Sequence, residues 1–202
     1  MMKLFQQVIS YVFHPLFVPV VGTMTYFLIT PKYSPIEEQS GTILPIFILT
    51  VVIPMISYLI LKNVGLIQSV FAPTIKERRY PFYISLLLLL TVVYKVLPNN
   101  FTPELHYYFL GLIAATSASL FLLFLKFKSS MHLMGMSSLT MYLTCLSVHF
   151  EINITIALGI LILLTGLVAS SRLYLKAHSK AELVIGFLIG AISQLLTVKY
   201  WL

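Results

Sequence analysis

The 202-residue chain contains no aspartate: its six acids are the glutamates Glu37, Glu38, Glu77, Glu104, Glu151 and Glu182. It has one cysteine, Cys145, and only 9% of its residues are charged. Each shortage excludes something. A lone cysteine cannot close a disulfide within the chain, and it leaves the redox compartment unread. Intramembrane prenyl and alcohol-phosphate transferases hold Mg²⁺ with clustered aspartates, because a hard cation wants several anionic oxygens. This chain cannot supply that cluster. It also lacks Cys/His zinc spacing, a Walker loop and a dinucleotide glycine pattern, so no metal and no cofactor is expected. Few charges beside 59% hydrophobic residues exclude a soluble domain, in which about a quarter of residues are charged.

What is present is apolar and long. Seven runs approach the roughly 20 residues needed to span a bilayer, at about 5–29, 43–61, 81–97, 105–125, 132–150, 152–169 and 182–201. The expectation is an all-α, polytopic membrane bundle of six to seven transmembrane helices, forming one domain over 1–202. The opening MMKLFQQVISYVF has no small-residue cleavage site, which predicts a retained first span. The third run is short, and Lys95 near its end is expected to snorkel. Gln68, Pro73 and shortness argue against a further span in 63–75. Proline pairs (Pro31 and Pro35; Pro98 and Pro103) mark two turns on one side, and a tight turn is required at Glu151. The runs are uniformly apolar, so periodicity does not show which faces point inward.

Seven spans fix which loops share a side. The N-terminus falls with 62–80, 126–131 and 170–181, and this side carries ten of the 13 basic residues. They are Lys3, Lys62, Lys76, Arg78, Arg79, Lys126, Lys128, Arg172, Lys176 and Lys180; Lys32, Lys95 and Lys199 lie opposite. His14, His132 and His178 also fall towards the basic side, and His106 and His149 away from it. A basic loop beside a span is ordinarily the cytoplasmic face. That reading covers Lys62, Lys126, Lys128, Lys176 and Lys180. His14, His106, His149, Tyr80, Tyr174 and the Tyr107–Tyr108 pair read as interfacial, and Cys145 and the methionines as packing.

Three stretches exceed this background. KERRYP (Lys76 to Pro81) and KFKSSMH (Lys126 to His132) each abut the start of a span. Guanidinium forks pair phosphate oxygens bidentately, and Ser130 can cap a helix starting near His132. The third stretch is SRLYLKAHSKAELVIG, from Ser171 to Gly186. In a helix beginning near His178, that residue, Glu182 and Gly186 share one face at i, i+4 and i+8. A carboxylate one turn from an imidazole fixes its tautomer and leaves the other nitrogen outward as a nucleophile. Arg172 cannot share that face, so it must come from the end of the preceding span.

The third stretch resembles the signature of the type 2 phosphatidic acid phosphatase superfamily: Ser-Arg, five residues, His, three residues, Asp, three residues, Gly. Here Ser171-Arg172, His178, Glu182 and Gly186 keep every spacing, with Glu in place of Asp. The family's Pro-Ser-Gly-His corresponds to Ser129-Ser130-Met131-His132, and its Lys, six residues, Arg-Pro to Lys76, Arg78, Arg79 and Pro81 with altered spacing. The resemblance covers about 62–190.

It implies a metal-free lipid phosphatase. His178 would attack phosphorus, Glu182 orient it, and His132 protonate the leaving alcohol and then activate water. Arg172, Arg78, Arg79, Lys76, Ser130 and Ser171 would bind phosphate oxygens. The substrate would be an isoprenoid or glycerolipid phosphate or pyrophosphate among membrane lipids, with no nucleic-acid partner. The expected location is a bacterial inner membrane. The motif side is cytoplasmic by charge bias and periplasmic by analogy. The longer Glu182 would seat His178 differently, and Met131 would crowd the phosphate. The alternative is a non-catalytic lipid-binding or assembly subunit of a membrane complex; a transporter fits less well.

Overall fold

The computed structural model describes residues 1–68, 74–97 and 102–202; Pro73, Pro98 and the side chain of Lys76 lie outside this set. Every regular element among the described residues is helical. The first span is α1 (Met2–Val12), a 3₁₀ turn (Pro15–Phe17) and α2 (Val18–Ile29). The second is α3 (Ile36–Phe47), a π-turn (Ile48–Val52) and α4 (Ile53–Asn63). The third is α5 (Ile75–Thr91), which runs into a second π-turn (Val92–Val96). Single helices follow: α6 (Pro103–Phe124), α7 (Met131–His149), α8 (Thr155–Tyr174) and α9 (Lys180–Val198). The chain is a multi-pass helical membrane bundle.

Prolines set the breaks. Pro15 has no N–H to give Tyr11, so the first span opens between α1 and α2. Pro54 would clash with the carbonyl of Thr50 in a straight helix, and the π-turn just before it absorbs the misfit. Three helices end instead on left-handed residues without glycine: Lys126 after α6 (φ 61°), Glu151 after α7 (φ 54°) and Lys176 after α8 (φ 51°). Each closes a Schellman pair; at Lys176 its N–H donates to the Leu173 carbonyl and that of Ala177 to Arg172. Glu151 thereby makes the tight turn required between the fifth and sixth spans.

Among the described residues, six of the seven spans are long and apolar enough to cross a membrane by composition, and α7 is not among them. It carries Ser137, Ser138, Thr140, Thr144 and Ser147, and it packs against α9, α8, α2 and α6. A helix surrounded by protein need not be lipophilic, and small polar side chains tie it to its neighbours. Ser138 Oγ donates to the Gly190 carbonyl at 3.2 Å. Gly186 and Gly190, four residues apart on α9, allow the close approach. A Cβ on Gly186 would stand 2.6 Å from the Ser130 carbonyl, and one on Gly190 2.1 Å from that of Met134.

Tyr108 is not interfacial. It is fully buried, stacks on Tyr142 at 4.1 Å and donates its hydroxyl to the Val18 carbonyl at 2.9 Å. Near the start of α6, beside Tyr107, its sequence position gave no sign of which way it turns.

Candidate functional site

The site grows from the ends of four helices and the break in the first span. At the start of α5, Thr74 caps the helix by accepting the Glu77 N–H, and its hydroxyl donates to Glu77 Oε1 at 2.8 Å. Glu77 Oε2 accepts the Gln68 N–H. This fixes the first turn and turns Arg78 into a cavity of about 650 Å³. Consecutive residues on a helix point about 100° apart. Arg79 accordingly leaves the cavity and lies over the Phe124 ring at 4.7 Å. Of the two arginines expected to bind phosphate, Arg78 faces the site and Arg79 packs on α6. The side chain of Lys76 lies outside the described residues.

Arg172 comes from the last turn of α8, as the spacing requires, and is 3% exposed. It lines the same cavity as Arg78, His132 and His178. His178 is not on the helix with Glu182. The helix begins at Lys180, Ser179 is its cap, and His178 stands just outside. The pairing nevertheless forms, through a capping box. Ser179 Oγ accepts the Glu182 N–H, and Glu182 Oε2 reaches back to accept both the Ser179 N–H (3.1 Å) and the His178 Nδ1–H (2.9 Å). Glutamate is the residue a capping box takes at this position, which gives a local reason for Glu where the family pattern has Asp. With Nδ1 as donor, Nε2 carries the lone pair. Burial, then the Arg78 charge, press the His178 pKa from 6.5 to about 4, so the ring is neutral at pH 7.

His132 enters from the first turn of α7. A carbonyl can only accept, so its Nε2–H donates to the Ser10 carbonyl at 3.0 Å and Nδ1 carries the lone pair. The Ser10 carbonyl is available because of the Pro15 break: the His14 N–H, its helical partner, turns to the Tyr11 carbonyl instead. The same break places His14 in the cavity, its ring 5.4 Å from that of His132 in an edge-on arrangement. His14, read from the sequence as interfacial, thus lines the cavity. The signal that could have found it is His-Pro inside an apolar run, where a helix must stop and its freed carbonyls need partners.

Two expected phosphate ligands are used elsewhere. Ser171 is fully buried; its hydroxyl donates to the Gln6 carbonyl at 2.6 Å and its Oγ lies 3.0 Å from Ser10 Oγ. It joins α8 to α1. Ser130 does cap α7, accepting the Leu133 N–H, but its own N–H donates to the Glu182 carbonyl at 3.0 Å. It joins α7 to α9, and neither serine lines the cavity. Met131 does line it.

Five basic side chains, His14, Arg78, His132, Arg172 and His178, thus border one cavity, whose other walls are mostly apolar: Leu49, Pro54, Met55, Leu88 and Leu89 among them. The arrangement suits an amphiphile with an anionic head: guanidiniums for oxygens, a neutral imidazole as nucleophile, and aliphatic walls for a tail. No family model, no curated protein and no solved structure matches the chain.

Proposed function

We propose that the chain is a membrane lipid phosphatase that works through a phosphohistidine. The observation that carries the reading is the Glu182 bond to His178 at 2.9 Å, with His178 bordering one cavity beside Arg78, Arg172 and His132. In the first step the His178 Nε2 lone pair attacks phosphorus, forming the N–P bond as the P–O bond to the lipid breaks. His132 takes up one proton at Nδ1 as the anionic substrate binds and gives it to the leaving alkoxide, while the Ser10 carbonyl holds the Nε2–H. In the second, water attacks phosphorus, the N–P bond breaks, and Nδ1 takes the proton back. Arg78 and Arg172 hold the equatorial oxygens, whose charge concentrates in the transition state. The substrate class is an isoprenoid or glycerolipid phosphate or pyrophosphate.

A second reading, a non-catalytic lipid-binding subunit, is favoured by one observation. Ser130, which the resemblance assigns to phosphate, has its N–H committed to the Glu182 carbonyl. One experiment decides. Purified protein is given a panel of lipid phosphates in excess EDTA, and released phosphate is measured for wild type and His178→Ala. The expected result is turnover in wild type alone, inhibited by vanadate. Equal background release from both would leave the binding subunit.

A further inference from the structure

We propose that His14 is a third imidazole of the site: a neutral hydrogen-bond donor whose Nε2–H is presented to the phosphate oxygens. The proposal rests on the phosphatase reading only for the identity of the anion. Its ground is the ring's own bonding. The Leu16 backbone N–H donates to His14 Nδ1 at 3.3 Å, capping the 3₁₀ turn. A nitrogen that accepts a hydrogen bond bears the lone pair, so the proton of the neutral ring sits on Nε2.

The three imidazoles then divide the work by tautomer. His178 offers a lone pair at Nε2, and His132 a lone pair at Nδ1. His14 alone offers an N–H in its neutral form. Its ring is held in place on both sides, by the cap to Leu16 and by the His132 ring at 5.4 Å, and it lines the cavity with Arg78 and Arg172. Giving up the Nε2 proton would create an imidazolate, so His14 is not an acid in the reaction. It stabilises oxygen charge as a fixed dipole, at no cost of reorganisation. Two arginines and His14 would replace the donors that Ser130 and Ser171 do not supply.

The test separates the cap from the donor. In His14→Asn the side-chain oxygen stands where Nδ1 does, keeps the Leu16 N–H and preserves the turn, while the Nε2–H is gone. In His14→Gln an amide N–H reaches close to the Nε2 position. On the lipid-phosphate panel the expected result is a loss of about 10²-fold in kcat for Asn, the usual effect of removing one such donor, with little change in KM. Gln should stay within about tenfold of wild type, since the donor is restored at altered geometry. Orthovanadate inhibition should weaken in Asn and largely return in Gln. Wild-type kcat and vanadate sensitivity in Asn would overturn the assignment, as would equal losses in Asn and Gln. If wild type turns over no faster than His178→Ala, the phosphatase reading fails. His14 is then judged on thermal stabilisation by orthovanadate alone. A shift in wild type that shrinks in Asn supports the assignment. An equal shift in both, or none in wild type, overturns it.

Discussion

The molecule pairs a glutamate with a histidine at both of its ends, and the two pairs are built differently. At the start of α6, Glu104 is 2% exposed. Its Oε2 accepts the Tyr26 hydroxyl at 3.1 Å, its Oε1 accepts the Lys32 ammonium, and His149 Nε2 lies 3.6 Å from that same oxygen. Trp201 covers His149 edge-on at 5.3 Å. Acid and base balance there, and aromatic rings close the cluster. At the other end Glu182 accepts from His178, which shares an open cavity with His14, His132, Arg78 and Arg172. A buried excess of one sign is costly unless a counter-charge arrives. What separates the two regions is therefore the balance of charge and the space beside it. The residue types are nearly the same.

The comparison breaks most visibly at the two histidine–glutamate pairs. His178→Ala should abolish phosphate release while lipid-phosphate binding, held by Arg78 and Arg172, largely remains; co-sedimentation with vesicles containing phosphatidic acid measures the second. Next, Glu182→Gln should slow turnover by ~10²-fold or more, since losing an orienting carboxylate costs about 10⁴ in serine proteases. Glu182→Asp should also lose activity, because the shorter chain cannot reach both Ser179 and His178. An active Asp variant would show that the longer side chain is drift.

At the balanced end the effect should move from rate to stability. Glu104→Ala leaves the Tyr26 hydroxyl buried without its acceptor, at a cost of about 1–3 kcal/mol. Thermal unfolding in detergent should shift accordingly while kcat stays within about twofold. A large kcat effect there would join the two regions into one machine.

A finer contrast is titration. The His178 pKa is held at about 4 against 6.5 in the unfolded chain. Between these values the unfolded state binds the extra proton, so stability from this group is complete above pH 6.5 and is lost as pH falls towards 4. The ¹⁵N-imidazole spectrum, with that of His178→Ala subtracted, should still show a neutral ring at pH 5.5. A protonated ring there would reject the placement. The smallest effect is expected at Lys176→Gly. Relieving a left-handed lysine gains about 1–2 kcal/mol, and the entropy of glycine takes back roughly half. The net is about 0.5–1 kcal/mol of stability, with turnover unchanged.

Much of this architecture could be read from sequence, for definite reasons. Runs of apolar residues and their number gave the bundle and sorted the loops, because only helices of that length satisfy their backbone across a bilayer. The Ser171-to-Gly186 spacing anticipated that Arg172 and His178 would reach one place from different elements. Side-chain direction inside uniformly apolar spans could not be read. Whether Arg78 or Arg79 faces inward depends on the cap at Thr74 and the ring of Phe124. Ser130 and Ser171 matched motif positions, yet their bonding groups join helices. His14 was read as interfacial because its place in the cavity depends on a proline break and on where α7 lies, and neither is local.

The oxygen that orients His178 is also the one that starts α9. Position 182 therefore cannot be tuned for one purpose alone. A library of substitutions there, scored by how much protein accumulates, would rank the site as a folding position and hide its chemistry. Scored by activity, it would rank as chemistry and hide the fold. Only variants measured on both scales, beginning with Gln, can tell the two apart. A change here that served the proposed reaction would have to preserve the beginning of a helix as well.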